Sequence, residues 1–303
     1  MEYDNLPESS NVEDRRGEGG YVGGGMGGLP GGVGGLSIGT IVILGLLGWA
    51  LGIDPSFLIG GAEILSRQQP RIEAPTQPRQ TGTPKDEIGN NAARVLGSTE
   101  AVWKDLLGGT YRAPTLVLFD GQTDTRCSNL PAQSAMGPFY CPNDKKIYLD
   151  TSFFRQIETR FRGCDVGSRS CRFPQAYVIA HEVGHHVQNL LGILTRAHAA
   201  QQAAGGRTAE ANRIQVRVEL QADCLAGVWA NRSDERWRLL KPGDVEAALR
   251  TAAAIGDDTL QRRSQGRVVP DSFTHGTSEQ RQNWFNTGLQ QGTVASCNTF
   301  AAQ

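Results

Sequence analysis

An uncharged apolar run near the start of the chain divides it into parts that cannot belong to one uniform globule. Residues 37–53 read SIGTIVILGLLGWALGI and are followed at once by Asp54 and Pro55. A run of this length is at the short end of what a membrane-spanning helix needs. We therefore expect one transmembrane helix over 37–53. A cleaved signal peptide is the alternative, but the long hydrophilic segment before the run favours an uncleaved anchor.

The segments on either side of the run have the composition of a tail and a linker. Residues 1–36 are polar and then glycine-rich, so we expect a disordered tail that cannot bury enough apolar surface to fold alone. Residues 54–85 combine several prolines with Gln, Arg and Thr, which is typical of a stiff, extended linker. Residues 86–303 carry the patterns of a folded domain.

The pattern of that domain predicts a helix-rich α+β fold with a small β-sheet or hairpin. Apolar residues at helical spacing predict helices over 87–107, 151–161, 174–191, 208–231 and 244–257. The run PTLVLF at 114–119 predicts a buried strand. Residues 139–141 and 147–149 flank a Pro-Asn-Asp-Lys turn and predict a hairpin.

Charge and cysteine content limit the partners and the compartment. The net charge of −1 provides no basic surface on the scale of the whole chain, so nucleic acid is not an expected partner. The six cysteines contain no C-x-x-C pair, and an even number suits disulfides formed in an oxidising compartment. Six buried free thiols are the alternative. We predict the pairs Cys127–Cys141, Cys164–Cys171 and Cys224–Cys297, and hence a single-pass inner-membrane protein whose domain is extracytoplasmic.

A metal-binding motif lies in the third predicted helix of the domain. His181, Glu182 and His185 form H-E-x-x-H. Residues four apart share one face of a helix, so both imidazoles can bind one metal ion. Glu182 can then reach a water on that metal and act as a general base. Two histidines on a helix surface are the simpler alternative.

Two acidic residues on the next long predicted helix strengthen the metal interpretation. Glu219 and Asp223 are also four residues apart and share a face. A zinc site with two histidines needs a carboxylate from another helix, and we assign this ligand to Glu219. Asp223 then accepts an N–H from a ligand histidine. Asp223 as the direct ligand and a solvated acidic face remain the alternatives.

The sequence resembles the bacterial membrane-anchored "putative neutral zinc metallopeptidase" family. The resemblance covers most of the chain, and its most specific parts are HEVGHHVQ at 181–188, ELQADCLA at 219–226 and SFTHGTSEQR at 272–281. It implies a gluzincin-type, zincin-like domain that binds one Zn²⁺ per chain through His181, His185 and Glu219, with Glu182 as the base.

The third of these parts is similar to a T-H-P…R element of membrane-bound zinc peptidases. In those enzymes the histidine and arginine lie near the scissile carbonyl. Here Gly276 replaces the proline of that element. The similarity implies that His275 donates a hydrogen bond to the oxyanion and that Arg281 supports His275 or Asp223.

Two functions of different classes follow from the sequence. The first is a membrane-anchored zinc endopeptidase acting on protein or peptide substrates, in which Glu182 moves the proton of a zinc-activated water. The second is a membrane-anchored binding or scaffold protein with a structural or vestigial metal site. A structural site needs a fourth protein ligand, for which Cys224 and His275 are the candidates.

Overall fold

The structure, a computed structural model, describes residues 1–17, 80–127, 131–159, 161 and 164–301. Its strands are β1 (Val12–Asp14), β2 (Gln80–Thr81), β3 (Thr115–Phe119), β4 (Gln122–Thr123), β5 (Ala132–Gln133), β6 (Phe139–Cys141) and β7 (Lys146–Asp150). Its α-helices are α1 (Glu87–Leu107), α2 (Ser152–Thr159), α3 (Arg172–Leu190), α4 (Ile193–Ala203), α5 (Ala209–Trp237), α6 (Asp244–Ala254), α7 (Asp257–Gln265) and α8 (Ser278–Gln291). The described residues therefore form the predicted helix-rich α+β fold.

Five of the strands form one sheet with the order β2-β1-β3-β7-β6. Strand β3 is the predicted apolar strand, and Leu116 to Phe119 are fully buried. It pairs in parallel with β1 and with β7. The predicted hairpin is present as β6 and β7, which pair antiparallel with Tyr140 opposite Ile147. Strand β6 has no neighbour on its other side among the described residues, so it is an edge strand.

Helices α3, α5 and α8 pack closely because glycines lie where their backbones meet. A Cβ atom at Gly184 of α3 would lie 2.9 Å from the carbonyl oxygen of Ala222 in α5. A Cβ atom at Gly288 of α8 would lie 1.9 Å from the carbonyl oxygen of Cys224 in α5. Larger side chains at these positions would force the helices apart, so the glycines set the distance between the elements that carry the site.

The first 17 residues differ from the predicted tail. Tyr3, Leu6 and Val12 are buried in the main core, and the Tyr3 hydroxyl donates a hydrogen bond to the carbonyl oxygen of Arg172 at 2.8 Å. Strand β1 lies between β2 and β3 inside the sheet. The prediction of a disordered tail over 1–36 is therefore wrong for residues 1–17. A polar segment that cannot fold alone can still pack on a surface that the rest of the chain supplies.

The pairing of β1 with β2 limits how the chain can cross a membrane. Glu13 of β1 pairs with Thr81 of β2, so the chain leaves and re-enters the sheet at neighbouring strands. A single crossing between them would put β1 and β2 on opposite sides of the bilayer, which their hydrogen bonds contradict. The predicted helix over 37–53 and most of the predicted linker over 54–85 lie outside the described residues. None of the described helices is long and apolar enough to span a membrane.

All six cysteines form disulfides, and the pairing is the predicted one. The bonds join Cys127 to Cys141, Cys164 to Cys171 and Cys224 to Cys297. The third bond ties the C-terminal end of the domain to the middle of α5. The alternative of six free thiols is wrong.

Candidate metal centre

Two histidines of α3 and one glutamate of α5 converge on one point. The Nε2 atoms of His181 and His185 lie 3.3 and 3.5 Å from the same oxygen, Oε2 of Glu219. The three candidate ligand atoms all lie within 4.8 Å of one another. The other Glu219 oxygen accepts a hydrogen bond from the Gln215 side chain at 2.9 Å, which fixes the orientation of the carboxylate. The structure thus brings together the three residues predicted as ligands.

A buried network holds the ring of His181 from behind. The Nδ1 atom of His181 lies 2.8 Å from Oδ1 of Asp223. Arg281 donates to both Asp223 oxygens, at 2.8 and 2.9 Å, and the Tyr177 hydroxyl donates to Oδ1 at 2.5 Å. Asp223 therefore lies on the ring nitrogen opposite Glu219, as an orienting group rather than a ligand. Arg281 supports Asp223, which is one of its two predicted partners.

Electrostatics make this cluster a site for a cation. Burial disfavours charge on His181, but Asp223 and Glu219 outweigh it and raise the pKa of His181 to about 10. Burial likewise works against ionised Glu219, yet His185 and His181 hold its pKa well below the usual range. The buried carboxylates that favour a protonated imidazole would favour a bound cation for the same reason.

Glu182 lies beside the ligand cluster but is not part of it. Its side chain is buried and lines the same cleft as His181 and His185. Burial raises the pKa of Glu182, whereas the two histidines and the backbone N–H of Tyr140 in edge strand β6 act to lower it. Glu182 thus sits between the metal-ligand cluster and the free edge of the sheet.

His275 lies at the cleft but outside the ligand cluster. The loop that carries it is held by Asp257, one carboxylate oxygen of which accepts the backbone N–H groups of Thr274, His275 and Gly276. The other oxygen lies 3.2 Å from Nδ1 of His275. Burial lowers the pKa of His275, but Asp257 and Glu219 outweigh it, and the pKa is raised. Asp257 thus contacts Nδ1 of His275, a residue that lines the cleft.

The cleft has room for an extended chain. Its volume is about 820 Å³, and its walls combine the ligand cluster with His275 and several apolar side chains. The apolar part of the wall includes Met136, Pro138, Phe139, Phe153, Phe161, Leu194, Ile255 and Leu260. Exposed Met136 and half-buried Phe139 bring apolar surface to the mouth beside β6. An apolar cleft beside a metal cluster suits a substrate with apolar side chains.

The residues fit Zn²⁺ in an open site. Two imidazole nitrogens and one carboxylate oxygen are the donor set of catalytic zinc sites with three protein ligands. In the part of the chain that the structure describes, the cluster has these three members and no fourth. Cys224 is bonded to Cys297, and His275 is not among the clustered donor atoms, so neither candidate for a fourth ligand closes the site.

Sequence reasoning missed several residues that contact the site, among them Tyr177, Asp257 and Gln188. Tyr177 and Asp257 are separated in sequence from the groups they hold, so no local pattern marks them. Gln188 is different, because its Oε1 lies 2.8 Å from Nδ1 of His185, three residues earlier on α3. Residues three apart are neighbours on a helix surface, so spacing alone could have indicated Gln188.

Comparisons with known proteins agree with this donor set. A family model described as "Putative neutral zinc metallopeptidase" matches residues 1–300. "Uncharacterized protein YpfJ" of Escherichia coli K12 is 45% identical over 307 residues, which cover 99% of each chain. "Uncharacterized protein Rv2575" of Mycobacterium tuberculosis H37Rv is 41% identical over 262 residues, covering 83% of this chain and 84% of that one. No solved structure matches the chain. The family match runs over nearly the whole length, and the chain therefore belongs to the family described as "Putative neutral zinc metallopeptidase".

Proposed function

We propose that the chain is a zinc-dependent endopeptidase. The observation that carries this proposal is the convergence of His181, His185 and Glu219 with no fourth protein ligand among the described residues. His181, His185 and Glu219 would hold the ion. Zinc with three protein ligands keeps a position for water and lowers the pKa of that water to about 7.

The chain's own residues supply the remaining steps. Glu182 accepts a proton from the attacking water and returns it to the leaving amine. A buried carboxylate beside the ligands is suited to this general acid–base role. The raised pKa of Glu182 suits this exchange, since it brings the pKa nearer to the working pH. His275, held by Asp257, donates from Nε2 to the carbonyl oxygen as negative charge develops there.

Edge strand β6 supports an extended peptide as the substrate. A peptide can add to a free sheet edge through main-chain hydrogen bonds, with alternate side chains entering pockets. The edge of β6 faces Glu182 through the Tyr140 N–H, so a peptide lying there would pass the base. The apolar side chains around Phe139 favour a substrate with apolar residues next to the scissile bond.

We also propose that the folded residues, 1–17 together with 80–301, lie on the extracytoplasmic side of the inner membrane. Three disulfides support an oxidising compartment. Pairing of β1 with β2 requires that both parts of the domain share one side. Attachment of residues 37–53 to the membrane without a single crossing would then anchor the domain and leave both of its parts on the same side.

A Glu→Gln pair of variants tests the endopeptidase proposal. Glu182→Gln keeps the shape of the side chain but removes the base, so we expect about one zinc per chain and loss of peptide cleavage. Glu279→Gln, at an exposed position of α8, is the matched control and should keep both. The assay is elemental analysis of the purified full chain together with cleavage of a peptide library. Full cleavage by Glu182→Gln would exclude the mechanism, and a zinc-loaded wild type that cleaves nothing would favour the binding or scaffold function.

A further inference from the structure

A relay of two glutamine side chains runs from His185 to the C-terminal end of the domain. Nδ1 of His185 lies 2.8 Å from Oε1 of Gln188. Nε2 of Gln188 donates to the carbonyl oxygen of Val218 at 2.8 Å and to Oε1 of Gln221 at 3.0 Å. Nε2 of Gln221 donates to the carbonyl oxygen of Cys297 at 2.8 Å. Gln188, Gln221 and Cys297 are all buried, so water does not compete with these bonds.

The two backbone carbonyls fix the direction of every hydrogen bond in this relay. A carbonyl oxygen can only accept, so Gln221 must turn its NH₂ toward Cys297 and its oxygen toward Gln188. Gln188 must then turn its NH₂ toward Gln221 and Val218, which leaves its oxygen facing His185. An amide oxygen is also only an acceptor, so Nδ1 of His185 must carry the hydrogen.

This direction determines what His185 presents to the ligand cluster. With the hydrogen fixed on Nδ1, the lone pair of the neutral ring lies on Nε2, the atom that faces Glu219. A partner on the second nitrogen is the usual means of fixing the tautomer and ring orientation of a metal-bound histidine. His181 has a carboxylate, Asp223, in this role, whereas His185 has a neutral amide.

The disulfide between Cys224 and Cys297 holds the far end of the relay. Cys224 lies on α5, three residues after Gln221, and its bond to Cys297 fixes the carbonyl on which the relay ends. Cys224 also directly follows Asp223, which orients His181. One covalent bond therefore supports the orienting groups of both histidines.

We propose that Gln188 and Gln221 are positioning residues, which use the carbonyl groups of Val218 and Cys297 to hold His185 in the tautomer that binds metal. The inference rests on the proposed metal site but not on peptidase activity. Gln188 contacts the ring directly and has a second acceptor in Val218, so its removal should weaken metal binding more than removal of Gln221.

The test is zinc affinity of the purified full chain, measured by competition with a chelator. Gln188→Met keeps the length of the side chain and removes the acceptor, so zinc should bind about 10- to 100-fold more weakly. Gln188→Glu keeps an acceptor for Nδ1, but its second oxygen faces two acceptors, the Val218 carbonyl and Oε1 of Gln221, so its zinc affinity should stay below that of the wild type. Gln282→Met is the matched control, because Gln282 is half-buried on α8 and donates to the carbonyl oxygen of Leu249 away from the site. Its zinc affinity should equal that of the wild type.

The possible outcomes separate the relay from the metal site itself. Wild type that binds no zinc refutes the metal site, and with it the proposed function. Gln188→Met that binds zinc like the wild type refutes the relay alone. Gln188→Glu that binds zinc like the wild type also refutes it, because that variant lacks the NH₂ group that the relay requires. If Gln188→Met does not fold, the zinc affinity of Gln221→Met decides. Zinc binding weaker than that of the Gln282→Met control supports the relay, and an affinity equal to that of the wild type overturns it.

Discussion

The two partners of the buried ion pair between Asp223 and Arg281 should not be equally costly to remove, as measured by the free energy of unfolding. Both side chains are almost completely buried, with 0% and 3% of their surface exposed. Asp223→Asn removes the carboxylate that Arg281 contacts and leaves a buried cation without this counter-charge. Breaking a buried pair in this way costs about 3–5 kcal/mol. That is a large part of a total stability of about 5–15 kcal/mol.

Arg281→Met should cost less, because Asp223 keeps two other donors. The Tyr177 hydroxyl and Nδ1 of His181 still reach its Oδ1 after the guanidinium is gone. What is lost is the pair of hydrogen bonds from Arg281, and hydrogen bonds to charged groups contribute about 1.5–3 kcal/mol. The double variant removes both charges, so its cost should be no greater than that of Asp223→Asn alone.

Equilibrium urea unfolding of the metal-free full chain, with disulfides intact, measures the three free energies. Asp105→Asn is the matched control, since Asp105 pairs with Arg236 at 2.8 Å on an exposed surface. That change should cost at most about 1 kcal/mol. A double variant whose cost equals the sum of the two single changes would show that the side chains are not coupled. A larger cost for Arg281→Met than for Asp223→Asn would refute the argument about the remaining donors.

Three other changes test separate parts of the structure. His275→Gln should reduce turnover about 100- to 1,000-fold without loss of zinc. Because the pKa of His275 is raised, wild-type turnover should fall as the pH rises through that pKa, and the variant should lack this fall in a pH–rate profile. Gly288→Ala should lower the melting temperature, since its Cβ would clash with the Cys224 carbonyl, at a cost of about 1–3 kcal/mol or more. Glu13→Cys combined with Thr81→Cys should form a disulfide in the membrane-bound chain. The disulfide should protect both cysteines from maleimide labelling, whereas Glu13→Cys alone should be labelled. Free labelling of the double variant would contradict the pairing of β1 with β2 and favour a single membrane crossing.

The parts of the site that depend on helical spacing could be predicted from the sequence. His181, His185, Glu219 and Asp223 follow the four-residue repeat of two strongly patterned helices, and the structure brings them together. The helix over 87–107 was predicted with the bounds that the structure has. In each case the information lies within one element, so tertiary contacts were not needed to find it.

Three features that depend on contacts between distant segments could not be predicted. Strand β1 has one buried apolar residue, Val12, and no periodic pattern, and it is a strand only because β2 and β3 pair with it. Tyr177 has the pattern of a core residue on α3, and only the arrival of Asp223 and Arg281 makes it part of the site. The predicted helix over 244–257 ends at Ala254, and a new helix begins at Asp257, whose carboxylate holds the loop of His275.

The interior position of β1 has a consequence for how the domain is completed during synthesis. The strand made first joins its neighbour β3 only after about a hundred further residues have emerged, so the earliest segment is placed late. A fragment that starts at residue 86, where the sequence pattern of the domain begins, would expose the open edge of β3, which favours aggregation. A synthetic peptide of residues 1–17 should restore the fold of such a fragment by complementation, because it would supply β1 as a separate strand next to β3.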